Sequence, residues 1–274
     1  MTAQDDHILA RELAAEAGDR LLALRAQGGE PDLLRKAGDR LSHEFLVAAL
    51  AARRPGDVVL SEEGADDPAR LAARRVWIVD PLDGTREFGE PGRTDWAVHV
   101  ALWERGDASD SGDLTAGAVA LPAQGRVLST APGDGAWSDG ADVAKEAGGA
   151  GGTGGIAAGD GRVRIVVSRT RAPRLVQDIS ALIDADLAPL GSAGAKVAAV
   201  VCGEADAYVH AGGFYEWDTA APVAVARAAG CHTSRIDGSA LVYNQANPRM
   251  PDILVCRPAL ADVLLQAIRE IKEI

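Results

Sequence analysis

Cysteine is scarce: the chain has three in 274 residues, Cys202, Cys231 and Cys256, with no C-x-x-C spacing among them. That argues against a disulfide framework or a zinc ribbon, and three buried free thiols are expected instead. Basic residues are outnumbered, 28 Lys and Arg against 40 Asp and Glu, for a formal net charge of −12. A protein that coats a nucleic acid polymer or an anionic membrane needs the opposite surplus, so both partners are excluded. A small anion can still bind, provided a local cation meets it. Aromatic residues make up only 4% of the chain, leaving few rings to stack against a base. No apolar run reaches membrane-spanning length. The acidic, amphipathic opening "MTAQDDHILARELAAEAGDR" lacks the basic stretch and apolar core of a leader, so a cytoplasmic location is expected. There is no internal repeat.

What is present is a 47% apolar chain, long enough for one large domain or two lobes sharing a core. Ile8, Leu9, Leu13, Ala17, Leu21 and Leu24 repeat at helical spacing, which predicts a helix over 5–27 stopped by Gly28-Gly29. A second helix is expected over 36–53, then strands at Val58–Leu60 and Val76–Val79. From Asp95 to Trp137 the pattern alternates with Gly-containing turns, the mark of antiparallel strands. This gives an N-terminal α+β lobe over 1–138. Residues 139–161, rich in Gly and Ala, read as a flexible surface excursion with no chemical role. Residues 162–274 form an α/β lobe, with strands "VRIVVS", "ADAYVH" and "PDILVC" and helices over 174–184, 195–202, 218–229 and 259–273. The fold class is therefore α/β (α+β), with helix and sheet layers stacked in alternation.

The stretch "VWIVDPLDGTREF" sets Asp80 and Asp83 three residues apart at the end of an apolar strand. Pro81 fixes its own φ and turns the chain, which swings Asp83 back beside Asp80. Two such carboxylates repel unless a cation lies between them. The Leu82 carbonyl adds a third oxygen, and Mg²⁺ takes oxygen ligands of this kind while keeping several waters. Gly84 and Thr85 then begin a turn or short helix whose free N–H groups suit phosphate oxygens. The plainer alternative is a turn with Asp83 as its cap. "VVLSEEG" ends another strand in Glu62 and Glu63, otherwise a solvated turn, and "YEWDTAAP" puts Asp218 at a helix start, where it would ordinarily be an N-cap. Carboxylates converging from three parts of the chain build a multi-metal phosphoryl-transfer site.

D-P-L-D-G-T-x-x-F after W-I-V, with S-E-E upstream and W-D-x-A-A downstream, resembles the inositol monophosphatase and fructose-1,6-bisphosphatase superfamily of Mg²⁺-dependent, lithium-sensitive phosphatases. "VLSEE", "WIVDPLDGTREF", "VVSRT" and "WDTAAP" most resemble its 3′(2′),5′-bisphosphate nucleotidase branch, the CysQ type, in an actinobacterial form. The resemblance covers essentially the whole chain. It implies a layered αβαβα sandwich with the active site between two lobes, and two or three Mg²⁺ held by Glu62, Asp80, the Leu82 carbonyl, Asp83 and Asp218. It further implies that Thr85 and Glu62 activate the attacking water, with Asp39 of "KAGD" as their partner. Where the family carries a threonine three residues before that aspartate, this chain has Lys36.

The metal site does not name the ester, so specificity must come from the second lobe. By resemblance, Ser192 and Lys196 of "GSAGAK", in a loop leading into a helix, grip a second phosphate. His210 stands where inositol-phosphate enzymes carry a glutamate, a potential cation in place of a carboxylate. Arg169 of "VSRT" is a further candidate anion contact, and Trp217 or Tyr215 are the rings placed to meet a base. Together with Asp83, Gly84, Thr85 and Asp218 these make the expected substrate contacts. The implied reaction is 3′-phosphate removal from adenosine 3′,5′-bisphosphate, with its sulfated form as a further substrate, in sulfur assimilation. Inositol monophosphate and fructose 1,6-bisphosphate remain alternatives, and similar enzymes are often homodimers.

Overall fold

A computed structural model of the chain describes residues 3–106, 111–132, 135–138, 141–142, 161–170 and 172–272. Two helices open the chain, α1 (Ala3–Ala26) and α2 (Pro31–Arg53). The second begins five residues earlier than its apolar spacing suggested. The reason is a local cap: Glu30 accepts from the Asp32 and Leu33 amides, and Pro31 supplies a preset φ at the first position.

Seven strands follow in one sheet, in chain order: β1 (Val58–Ser61), β2 (Arg75–Asp83), β3 (Ala97–Arg105), β4 (Gly112–Leu121), β5 (Arg126–Ala131), β6 (Gly135–Ser138) and β7 (Ala141–Asp142). Only β1 and β2 run parallel; the other pairs are antiparallel. A short helix, α3 (Thr85–Gly89), continues directly from β2. The second sheet contains β8 (Arg164–Ser168), β9 (Asp186–Leu190), β10 (Ala207–Tyr215), β11 (His232–Ser234) and β12 (Arg249–Cys256), in spatial order β11-β12-β10-β8-β9. Its helices are α4 (Arg174–Ile183), α5 (Ala193–Val201), α6 (Glu216–Ala228) and α7 (Ala261–Lys272). The flexible excursion expected over 139–161 lies outside the described residues except for Ala141, Asp142 and Gly161.

Period-2 alternation along β2 shows how the layers stack. Trp77, Val79 and Leu82 pack into a core with Leu9, Leu13, Leu46 and Leu50 of α1 and α2. Val76 and Ile78, on the opposite face, join Val197, Val200, Val223 and Val225 of α5 and α6. That core also takes Val166, Tyr208, Ile253 and Val255 from the second sheet. The far face of the second sheet, with Ile165, Val209 and Leu254, packs on Val176, Ile179, Leu264 and Ile268 of α4 and α7. The order is helix, sheet, helix, sheet, helix. Because α5 and α6 are sandwiched between both sheets, the two halves of the chain share their central core.

The three cysteines are free, but only Cys256 is buried, Cys202 and Cys231 being half-buried. Burial pushes the Cys231 thiol up to about 11 and that of Cys256 to about 12, so neither is reactive near neutrality.

Candidate active site

The strand bearing the first aspartate pair does not stop at Asp80, as its sequence suggested, but runs to Asp83. A register irregularity between Asp80 and Asp83 accommodates Pro81, which has no N–H to give the ladder. Alternation alone would send residues three apart to opposite faces. The irregularity breaks that rule: Leu82 packs with α1 and α2, while Asp80 and Asp83 come together with Asp218. One carboxylate oxygen from each of these three aspartates lies within 4.8 Å of the others.

Gly84 ends the strand at φ 85°, a left-handed conformation, and a Cβ there would press within 3.2 Å of the Ser192 side chain. The Thr85 hydroxyl then lies 3.0 Å from the Leu82 carbonyl and 3.3 Å from Asp39, its single proton shared between them. Asp39 reaches this point because Gly38 lets α2 approach closely: a Cβ at Gly38 would meet Phe88 at 2.8 Å and Leu82 at 2.9 Å. Lys36, one turn away, is exposed and joins nothing at the site.

Asp218 is not the N-cap of α6 but its third residue. Its carboxylate turns back to accept from the Tyr215 amide at 2.6 Å. Asp83 is held hardest: one oxygen accepts from the Ser192 hydroxyl at 2.5 Å and from the Gly194 amide at 2.7 Å. His99 Nε2 lies 3.2 Å from the same oxygen, close enough to attract it although not aligned as a hydrogen bond. The other His99 nitrogen meets the Trp217 carbonyl at 3.1 Å. His99 escaped the sequence reading because it sits inside the apolar strand "AVHVAL". The signal was its register opposite Asp80.

The electrostatics follow from crowding. Burial, then the charges of Glu62, Asp83 and Asp218, push Asp80 well above the ordinary carboxylate range. Burial and Asp83 lift Asp218 to about 7. Glu62 stands at the rim with much of its surface open, but its carboxyl end is enclosed beside Asp80. That enclosure and the surrounding carboxylates raise it to about 7. Burial and Glu63 bring Asp39 to about 6. Burial acts on Asp83 too, but His99, Ser192 and the Gly194 amide outweigh it and hold Asp83 below its usual value. One Asp80 oxygen is buried without any hydrogen-bond donor. Crowded carboxylates around an orphaned buried oxygen fit a hard divalent cation.

The expected substrate contacts divide. Ser192 caps α5, accepting from the Ala195 amide while its hydroxyl proton goes to Asp83. Lys196 is not in a loop but within α5 and is 5% exposed. Its ammonium donates to the Gly191 carbonyl at 2.6 Å and lies 5.3 Å from the centre of the Tyr208 ring. Burial lowers its pKa against the pull of Asp83, Glu87, Asp95 and Asp218. Burial and Lys196 hold His210 below the usual histidine value against the pull of the Gly212 carbonyl. Its Nε2 meets that carbonyl at 2.7 Å, and its ring lies 4.2 Å from that of Phe214. The Arg169 guanidinium is engaged by Glu87 and Glu90 at 2.9 and 2.8 Å. Tyr215 and Trp217 stack on each other, centroids 4.6 Å apart.

Gly194 is a tight point in this assembly. A Cβ there would fall 2.2 Å from His99 Nε2 and 3.0 Å from Ala97, both buried. Gly194→Ala is expected to lower stability by roughly 1–3 kcal/mol, as overpacking does, and to loosen Asp83. Thermal melting and turnover measured together check this; a variant matching wild type in both shows the contact to be soft.

The architecture has close counterparts. The structure matches inositol monophosphatase II from Staphylococcus aureus with a TM-score of 0.74 at 22% identity, covering 93% of this chain and 92% of that one. The inositol monophosphatase from Thermotoga maritima also matches at 0.74, with 20% identity and 98% of both chains covered. At these identities the likeness is one of fold. The sequence goes further: the model of the inositol monophosphatase family matches residues 7–273, and the chain belongs to that family. It is 48% identical to the 3′-phosphoadenosine 5′-phosphate phosphatase of Mycobacterium leprae, over 97% of this chain and 94% of that protein. It is 32% identical to the 3′(2′),5′-bisphosphate nucleotidase CysQ of Escherichia coli, over 85% and 91%.

Proposed function

We propose that the chain is a Mg²⁺-dependent phosphomonoesterase that removes the 3′-phosphate of adenosine 3′,5′-bisphosphate, giving AMP and phosphate. The observation that carries the chemistry is the convergence of Asp80, Asp83 and Asp218 around a buried oxygen lacking a donor. The substrate rests on the mycobacterial relatives, which are named 3′-phosphoadenosine 5′-phosphate phosphatases and align along nearly the whole chain.

Asp80, Asp83, Asp218, Glu62 and the Leu82 carbonyl would hold the cations. Bound there, Mg²⁺ supplies the positive charge that eases loss of a proton from water and stabilises the departing ester oxygen. The protein's own groups do the rest. Glu62, at the rim beside Asp80, takes the water's proton. Thr85, fixed between Asp39 and the Leu82 carbonyl, orients that water. The Gly84 and Thr85 amides hold the phosphate in line, and positioning of this kind is a large part of phosphoryl-transfer catalysis.

Lys196 is the residue proposed to meet the second phosphate, together with Ser192. Both are already tied into the site, Lys196 through Gly191 and Ser192 through Asp83. A phosphate would compete with the Gly191 carbonyl for the ammonium through a charge-assisted contact. Lys196→Ala is expected to reduce kcat/KM for the bisphosphorylated nucleotide by about ten- to a hundredfold, roughly 1.5–3 kcal/mol. Hydrolysis of inositol monophosphate, which has no second phosphate, should change little. Equal losses on both esters, or none on either, would return the inositol reading to first place. Which ester wild type prefers follows from a panel assayed at equal concentration.

A further inference from the structure

Glu216 is 1% exposed, although it opens α6 only two residues before Asp218. Its two oxygens are spent on consecutive backbone amides, Asn244 at 2.7 Å and Gln245 at 2.8 Å. Its own amide is tied to the Pro248 carbonyl at 2.8 Å. Asn244 has φ 58°, a left-handed conformation for a residue with a side chain, so the surroundings must hold it there.

Those surroundings centre on Arg70, 1% exposed and 174 positions away in the chain. One terminal nitrogen donates to the Asn244 side-chain oxygen at 2.8 Å, and the other to the Gln245 carbonyl at 2.8 Å. The Asn244 side-chain amide donates back to the Arg70 carbonyl at 3.1 Å. The remaining edge of the guanidinium grips Asp66 at 2.6 and 3.0 Å. Asp66 lies four residues after Glu62, on the segment that carries that glutamate away from β1.

We infer that Arg70, Asn244 and Glu216 form a strut that fixes the distance between the Glu62 and Asp218 arms of the cation site. Arg70 and Glu216 are thus positioning residues for the site, not groups that touch the substrate. The inference rests on the reading that Glu62 and Asp218 serve one cation site, and it adds what keeps them there. The strut is needed because the arms have separate origins. Glu62 follows a strand of the first sheet and Asp218 opens a helix of the central layer, and like charges at their tips push them apart. A planar guanidinium with several donors in fixed directions spans such a gap better than apolar contact can, since its geometry is directional.

The test is cation binding measured apart from turnover, by calorimetric titration of the metal-free protein with Mg²⁺, on wild type, Arg70→Gln, Glu216→Gln and the double variant. Asp66→Asn is added because Asp66 is 40% exposed, so this change weakens the strut without endangering the fold. Leu264→Ala, in the outer core, serves as a destabilised control. The expected result is a weakening of about tenfold in Mg²⁺ affinity in each strut variant and about threefold in Asp66→Asn. The double variant should fall well short of the hundredfold that independence would give, because members of one network do not add. KM for the ester at saturating Mg²⁺ should stay within about twofold, while Leu264→Ala should lose melting temperature but keep its Mg²⁺ affinity. Affinities within twofold of wild type in the Asp66 and Glu216 variants, whatever their melting temperatures, would overturn the strut. A wild type that binds no Mg²⁺ would instead overturn the cation site itself, so the two failures are distinct.

Discussion

Asp83→Asn is expected to leave a folded protein with turnover reduced at least about a thousandfold at any Mg²⁺ concentration, roughly 4 kcal/mol of transition-state stabilisation. The size of the loss follows from how each Asp83 oxygen is employed. One is committed to Ser192 and the Gly194 amide, both of which donate. Asparagine can satisfy those donors only by turning its carbonyl toward them. Its NH₂ group then faces Asp80 and Asp218, where a donor opposes a cation instead of binding it. Rotated the other way, the NH₂ meets the Gly194 amide, donor against donor, and α5 is disturbed. Excess Mg²⁺ cannot repair either arrangement, because the defect is one of ligand sign and not of affinity alone. Circular dichroism and turnover against Mg²⁺ decide the matter, and near wild-type activity in a folded Asp83→Asn protein would sink the cation assignment.

The parts of this site that could be read from sequence share a physical origin. β2 is legible because Val76, Trp77, Ile78 and Val79 are buried on both faces, which leaves an uninterrupted apolar run. A carboxylate at the end of such a run stands out, and Asp80 and Asp83 were found that way, whereas Asp218 was picked out at the start of a helix. The layered order of helices and sheets is legible for the same reason, from the switch between helical and alternating spacing. Arg70 and Glu216 gave no signal, since their link spans most of the chain and each has an ordinary sequence neighbourhood. Glu216 was hidden in plain sight beside Asp218 in "YEWD". Lys196 was expected in a loop leading into a helix, because Gly191, Ser192 and Gly194 read as loop residues, but it lies inside α5. Packing of α5 between two sheets overrides that expectation for Lys196. Arg169 was located but not its partners, because Glu87 and Glu90 approach it only in the folded chain.

Without Mg²⁺ the acidic cluster should make the protein less stable as pH rises, and Mg²⁺ should offset part of that loss. Asp80 is raised well above its ordinary value, Glu62 and Asp218 to about 7, and Asp39 to about 6. Each of these carboxyls keeps its proton in the folded chain at a pH where the unfolded chain has released it. The folded state then binds more protons, so stability is fully present below about pH 4, the unfolded carboxylate value, and is lost as pH climbs toward about 7. Asp83, whose value is lowered, acts in the opposite sense, but only below that window. A divalent cation competes with these protons for the same oxygens, so its binding strengthens as they leave. At pH 8 and a Mg²⁺ concentration about a hundredfold above its dissociation constant, the gain is about 2.7 kcal/mol. For a chain of this length that is roughly 5–10 °C in melting temperature. At pH 5 the same Mg²⁺ concentration should shift melting by only about 1–2 °C, because most of the cluster is protonated. Melting curves at pH 5, 6, 7 and 8 with and without Mg²⁺ test both halves of the statement. A shift independent of pH, or a metal-free protein that gains stability between pH 5 and 7, would show that these carboxyls do not titrate as a crowded, cation-seeking group.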